Sequence, residues 1–375
     1  MPFDPRPATL LAMTTLAFIY HERYGGRGLA HHRLARSWER YRATLEVAQA
    51  LELPMRVFRQ SPAADKFLQL VHSQAYIDWV RRMDLRAEGF LDHGDTPAYR
   101  GIFRRAAIAV GGTLLGARLV ADGDAGVAFN PGGGLHHAQS ERTSGFCVFN
   151  DLVIATRWLM QARGVRRPLI LDFDGHHGDG TQVLLYEEPI LTVSLHQYDG
   201  RFYPGTGSLN ETGWGPGQGY CLNVPLPRRT GTAVYLRALD ELILPVVRAY
   251  GPDFIIVQLG ADAHFADRLV SLRLTTQAYA GIAERLLGLA AEFTGGRLLI
   301  CGGGGYTPEA VARCWGIVLA TLTGCPERAA GLHDAPADVP PGRPESDAAA
   351  LATLETAQRR LLPLWGLTPP GERAA

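Results

Sequence analysis

The stretch PLILDFDGHHGDGT, residues 168–181, runs from a short aliphatic segment straight into carboxylates, imidazoles and glycines. Residues 168–173 predict a buried strand, and the polar cluster after them predicts a strand end with chemical work to do. Comparable short apolar runs recur at 16–20, 126–130, 190–196, 254–259 and 297–301, separated by longer segments with helical spacing. That alternation predicts an α/β fold, a parallel sheet with helices on both faces. Apolar periodicity predicts helices over 104–122 and 276–293. A further helix is expected to start at Thr307-Pro308-Glu309, with Thr307 as N-cap, and to stop at Gly324.

The chain has 375 residues, 46% hydrophobic and 20% charged, enough to bury a large core. One domain is expected over 1–375. Residues 1–15 are expected to be a disordered start, and 335–375 a Pro-rich link followed by an amphipathic helix over 347–362 and a polar tail. Lys+Arg and Asp+Glu both number 37, so no bulk field attracts nucleic acid or an anionic membrane, and neither is expected as a direct partner. Lys66 is the only lysine, a skew that carries no functional reading. Cys147, Cys221, Cys301, Cys314 and Cys325 are odd in number, scattered and without a CxxC pair, which argues against a disulfide framework and fits a reducing cytoplasm. The apolar stretch 10–20 lacks a basic leader and a cleavage site, and is far short of the roughly 20 residues that span a bilayer.

Open α/β sheets place their sites where strands end. Five polar clusters fall there: His136-His137 after Gly132–Gly134; Asp172 through Asp179; His196; Asp262 with His264; and Gly302–Gly305 before Tyr306. In an extended chain, residues two apart share a side, so Asp172, Asp174 and His176 can aim at one point. Two carboxylates and an imidazole are good zinc ligands, and Asp262 would complete a three-ligand set with an open position. A lone DxDxH is more simply a solvated strand end, but four further polar strand ends weigh against that. The adjacent histidines follow a glycine run, and Asp172 and Asp179 are available to orient them as proton handlers. The glycines before Tyr306 form either a plain turn or the side-chain-free wall of a narrow acyl pocket, with the tyrosine facing a developing oxyanion. Cys147 as a papain-like nucleophile beside His136 or His137 would leave Asp174, His176 and Asp262 unexplained.

The motifs VHSQAYI, GGGLHHA, SGFCVFND, LDFDGHHGDGTQ, SLHQ, FYPGTG, LNVPLP, QLGADAH and GGGGYTPEAVARCW occur in that order from about Val71 to about Trp315. The sequence thereby resembles the histone deacetylase superfamily, particularly its bacterial acetoin-utilisation-type and acetylpolyamine-amidohydrolase-like members. The resemblance implies the arginase/deacetylase fold with a central parallel sheet of about eight strands. It implies Asp174, His176 and Asp262 as zinc ligands, His137 backed by Asp179 as general base, His136 backed by Asp172 as electrostatic partner, and Tyr306 as the group polarising the acyl carbonyl. It further implies Phe146 and Tyr203 as tunnel walls beside Gly145, with Gly304 and Gly305 in the pocket wall. Leu269 falls at the mouth and Asp95 at the rim, where it would hold a peptide backbone. A potassium ion is implied near Asp172, Asp174, His176, Ser194 and Leu195.

Three departures stand out. Gly175 replaces an aliphatic residue and is expected to loosen the strand end; Tyr203 replaces phenylalanine; and the proline- and arginine-containing segment after the first strand is poorly kept in GGRGLAHHRLARSWERY, which puts the pocket floor in doubt. The implied activity is zinc-dependent hydrolysis of an acyl amide, foremost acetyl-lysine in proteins or peptides, with iron(II) able to replace zinc. The alternative is an acetylpolyamine or other small acetylated amine, with Asp199 or Glu211 greeting a distant ammonium. An arginase-like ureohydrolase would need more carboxylates than Asp262 with Asp267, and a non-catalytic binding protein would have lost Tyr306 or a zinc ligand. Oligomeric state is not legible.

Overall fold

Eight short strands pair in parallel into one sheet: β1 (Leu16–Ile19), β2 (Met55–Phe58), β3 (Val127–Asn130), β4 (Pro168–Asp172), β5 (Leu191–Gln197), β6 (Cys221–Leu226), β7 (Phe254–Gln258) and β8 (Leu298–Cys301), in the order β2-β1-β3-β8-β7-β4-β5-β6. The structure is a computed structural model and describes residues 15–24 and 38–370. Residues 1–14 of the expected disordered start, most of the divergent segment after β1 and the end of the tail lie outside the described residues.

Successive strand residues enter opposite cores. Leu169 and Leu171, Ile255 and Val257, and Leu298 and Ile300 pack into one cluster, while Ile170, Ile256 and Leu299 pack into the other. Both faces are therefore covered, which is why these strands read as unbroken apolar runs rather than alternating ones. The six sequence-predicted strands are present, and the two that escaped prediction are the sheet's edges. β2 carries Arg56 and is only partly buried. β6 contains Pro225, which removes a ladder donor and is tolerated at an edge.

The predicted helices appear as Ile102–Ala121, Thr276–Leu289 and Pro308–Leu322, the second continuing through a π turn at Ala290–Thr294. One expectation is corrected: the Thr307 hydroxyl caps nothing, and instead donates to the Ala266 carbonyl at 2.8 Å, pinning the loop after β7 to the start of the last of these helices. The C-terminal helix Pro344–Leu361 buries Leu354, Ala357 and Leu361 in the core cluster that includes the β6 residues Leu222, Val224 and Leu226. No helix among the described residues is long and apolar enough to cross a membrane.

Sheet order, rather than chain order, assembles the site. β3, β8, β7, β4 and β5 lie side by side, so the loops that leave their C-terminal ends meet although residues 130 and 302 are far apart in sequence.

Candidate active site

β4 stops at Asp172, where the chain turns rather than continuing as strand. The His176 backbone N–H donates to Asp174 Oδ1 at 3.0 Å, so a side-chain-to-backbone bond, not extended alternation, turns these two side chains together. Asp262 reaches them from the loop after β7. His176 Nδ1 lies 3.1 Å from Asp174 Oδ1 and 2.9 Å from Asp262 Oδ2, and the three groups offer ligand atoms all within 4.8 Å of one another. All three are buried. Burial and the neighbouring Asp174 charge push the Asp262 carboxyl up. Burial also opposes ionisation of Asp174, but the His136 charge and the His176 bond outweigh it and hold that carboxyl well below its ordinary range. Two dry carboxylates facing one imidazole call for a positive charge between them, and this donor set fits a divalent cation.

Further contacts hold these ligands. Asp174 Oδ2 accepts from Gln258 Nε2 and from the Gly304 N–H, both at 2.7 Å, and Asp262 Oδ1 accepts from the Gly175 N–H at 2.7 Å. A Cβ at Gly304 would collide with both carboxylates, which is the physical reason for a bare wall there. At Gly175 the methyl groups of Val270 fill the space a side chain would take.

His136 and His137 leave β3 on a loop tied down from the side, where Asp151 accepts the N–H groups of Gly134 and Leu135 at 3.0 and 2.7 Å. His136 Nδ1 lies 2.6 Å from Asp172 Oδ2, and His137 Nδ1 lies 2.6 Å from Asp179 Oδ1. Their Nε2 atoms converge at 3.1 Å, and that of His136 is 3.9 Å from Asp174 Oδ1. Burial opposes charge on His136, but the Asp172 and Asp174 carboxylates raise it to about 9. Burial and the His136 charge, against the pull of Asp179, lower His137 to about 4. Neighbouring imidazoles are thus driven to opposite protonation states.

Tyr306 hangs from Asp267, which accepts its N–H at 2.7 Å, and burial pushes its hydroxyl far up, so it remains a donor. Asp267 also accepts the Leu269 N–H at 2.8 Å. Gly303 and Gly305, at φ +75° and +128°, turn their carbonyls to the buried Arg40 guanidinium, which also donates to the Tyr41 hydroxyl at 3.0 Å. Arg40 belongs to the segment whose divergence had put the pocket floor in doubt, and it ties that segment to the Gly303 and Gly305 carbonyls. Residues 25–37 of that segment lie outside the described residues.

On the substrate side, Gly145 (φ +51°) and Phe146 (φ +67°) make a tight left-handed turn, and a Cβ at Gly145 would strike the His137 ring. The extra hydroxyl of Tyr203 bonds Ser144 Oγ at 2.6 Å, and its ring stands 5.1 Å from that of His137. Gly145, Phe146 and Gly304 line the central cavity with both histidines, Asp174, His176 and Tyr306. Asp95 and Leu269 are exposed outside it, Asp95 in a turn whose N–H groups bond Asp92. Ser194 faces Asp172 across the β4–β5 ladder, with Leu195 next to it, but its hydroxyl bonds His196 Nδ1 at 2.9 Å. His264 turns away to Asp334, so not every polar strand end joins the site. Burial raises the Cys147 thiol well above its ordinary value and it donates to the Gly145 carbonyl, which removes the nucleophile reading. Gln258, Asp151 and Arg40 were not singled out from sequence. Asp151 had a local signal, the Asn150-Asp151 pair that starts a helix with Asn150 accepting the Val153 N–H.

Residues 30–322 match the family model described as the histone deacetylase domain. The chain belongs to the histone deacetylase family. It is 40% identical to the acetoin utilization protein AcuC of Bacillus subtilis (strain 168) over 266 residues, 68% of each chain. It is 31% identical to the histone deacetylase RPD3 of Saccharomyces cerevisiae over 329 residues, 84% of this chain and 73% of that one. Among solved structures it is similar to the HDA15 HD domain, with a TM-score of 0.81 at 27% identity, covering 94% of this chain and 96% of the other. This histone deacetylase family hydrolase therefore has the arginase/deacetylase fold.

Proposed function

We propose that this family member is a zinc-dependent amidohydrolase that removes acetyl groups from lysine side chains of proteins or peptides. One observation carries the reading: three metal-capable side chains and two imidazoles, each imidazole backed by its own carboxylate, converge at one cavity. Asp174, His176 and Asp262 would hold the cation, zinc with iron(II) suiting the same donors, and it would supply Lewis acidity to the acyl oxygen and acidify a water. His137 takes a proton from the attacking water at the ring nitrogen that Asp179 leaves free, then gives it to the departing amine. His136, paired with Asp172, keeps positive charge beside the developing oxyanion. Tyr306 donates a hydrogen bond to that oxygen, and Gly304 and Gly305 leave room for the acyl group.

Phe146, Tyr203 and Gly145 would form the walls of the lysine channel, Leu269 its mouth, and Asp95 a rim acceptor for peptide N–H groups. A potassium ion beside Asp172, Ser194 and Leu195 would support the floor. Free, buried cysteines suit a reducing cytoplasm. Against the polyamine alternative, Glu211 is engaged by the N–H groups of Gly207 and Ser208, and one oxygen of Asp199 by those of Arg201 and Phe202, which favours the peptide reading. The test compares kcat/KM of the zinc-loaded protein on an acetyl-lysine peptide and on N-acetylputrescine, with and without chelator. A chelator-sensitive preference for the peptide is expected; preference for the polyamine overturns the substrate, and chelator-resistant turnover overturns the mechanism.

A further inference from the structure

The cavity that holds the catalytic groups has a volume of about 110 Å³, several times the roughly 10–15 Å³ that one water needs, and it is also lined by Trp38, Arg40, Tyr99 and Arg105. Two guanidiniums therefore share it. Most of the other half-buried arginines meet carboxylates, Arg81 with Asp65, Arg157 with Glu188, Arg285 with Asp240 and Arg313 with Asp334, while Arg273, outside the cavity, bonds the Pro341 carbonyl. Arg40 and Arg105 have no such partner among the described residues. Arg40, 8% exposed, bonds only carbonyls and the Tyr41 hydroxyl among the described residues. Arg105 donates to the Tyr99 hydroxyl at 2.6 Å and lies over the Trp38 ring. Arg40 Nε and the Trp38 indole N–H are, moreover, buried without any hydrogen-bond partner among the described residues. Unanswered buried donors and cations are costly in free energy, and a ligand anion would satisfy them.

We propose that this part of the cavity receives the terminal carboxylate of a dicarboxylic acyl chain, with Arg105 as the specificity-determining contact, so that the enzyme removes short acidic acyl groups such as succinyl from lysine. The inference rests on the amidohydrolase reading and deepens it. Arg105 rather than Arg40 carries the discrimination because both terminal nitrogens of Arg40 are already bonded to protein oxygens, whereas a guanidinium has five N–H donors and Arg105, among the described residues, uses one on Tyr99. The reaction balances as ordinary hydrolysis: water cleaves the amide carbon–nitrogen bond, its oxygen stays on the acyl carbon, which leaves as a dicarboxylate, and both its protons end on the lysine nitrogen, which leaves as an ammonium. A released monocarboxylate shares the same anionic chemistry, and the isostere comparison separates the two.

The experiment measures kcat/KM of the metal-loaded full chain on one peptide carrying succinyl-lysine or its uncharged isostere 4-methylpentanoyl-lysine, for the parent protein, Arg105→Gln and Arg105→Lys. A preference of about tenfold or more for succinyl is expected in the parent, lost in Arg105→Gln and largely kept in Arg105→Lys. Equal rates in the parent, or an unchanged ratio in Arg105→Gln, overturn the proposal and leave the arginines to the released product. Should no acylated peptide turn over, the amidohydrolase reading fails by itself, and calorimetry decides the inference. Tighter binding of succinate than of 4-methylpentanoate, abolished in Arg105→Gln, sustains it, and equal binding overturns it. If Arg105→Gln does not fold, the parent ratio and Arg105→Lys carry the same decision.

Discussion

The floor of the site and its rim are built by different rules. On the floor, His136, His137, Asp172, Asp174, His176, Asp179 and Asp262 are all buried, and every one bonds another member of the set. At the rim, Asp95 and Leu269 are exposed, with their backbone N–H groups held by Asp92 and Asp267. Buried charge survives only when its partners are in place, so the floor tolerates little change. Exposed side chains at the rim carry no comparable desolvation cost and can vary with the substrate.

The contrast breaks first, and hardest, at the metal group. Asp262→Ala should lose bound metal and at least about a thousandfold in kcat/KM; full zinc occupancy by elemental analysis would refute the ligand set. Next comes Tyr306→Phe, expected to lower kcat by about 10²–10³ with metal retained, since one oxyanion donor is removed. A near-normal kcat would take the role from this residue. Asp151→Asn keeps the size of the side chain but replaces one acceptor oxygen of the histidine loop; a loss of about 10–100-fold in kcat at unchanged metal content is expected. If only the melting temperature moves, the loop is positioned by something else.

The pH profile sharpens the same comparison. A lowered imidazole stays neutral, and so able to accept a proton, down to its own pKa. The acid limb of kcat/KM should therefore lie well below the ordinary histidine value of about 6.5, where an unshifted base at pH 5.5 would already have lost about tenfold. An acid limb near 6.5 would mean that burial does not control His137. The smallest effect belongs to the rim: Asp95→Asn should raise KM for a peptide a few-fold, about 1 kcal/mol or less, with kcat unchanged. A large fall in kcat would dissolve the distinction between floor and rim.

Much of the floor was legible because metal and proton-transfer chemistry admit few residue types, and because Asp174 with His176 and His136 with His137 are near neighbours in sequence. Their surroundings were not. Gln258 is 84 residues from the Asp174 carboxylate it holds, and Arg40 is 265 residues from the Gly305 carbonyl. Nothing local distinguishes such a glutamine or arginine from a surface one. The same reason explains Gly175, where sequence could register a missing side chain but not the Val270 methyl groups that replace it.

By itself, the sequence determined the layered α/β architecture, the central strands and the chemical inventory of the site, since apolar periodicity and residue chemistry are local properties. Only the tertiary structure decided the two edge strands, the turn that joins Asp174 to His176, the hold of Gln258 and Gly304 on Asp174, and the two arginines that no carboxylate pairs among the described residues. Each of these depends on which loops become neighbours when the strands take the order β2-β1-β3-β8-β7-β4-β5-β6, an order written in no single segment of the chain.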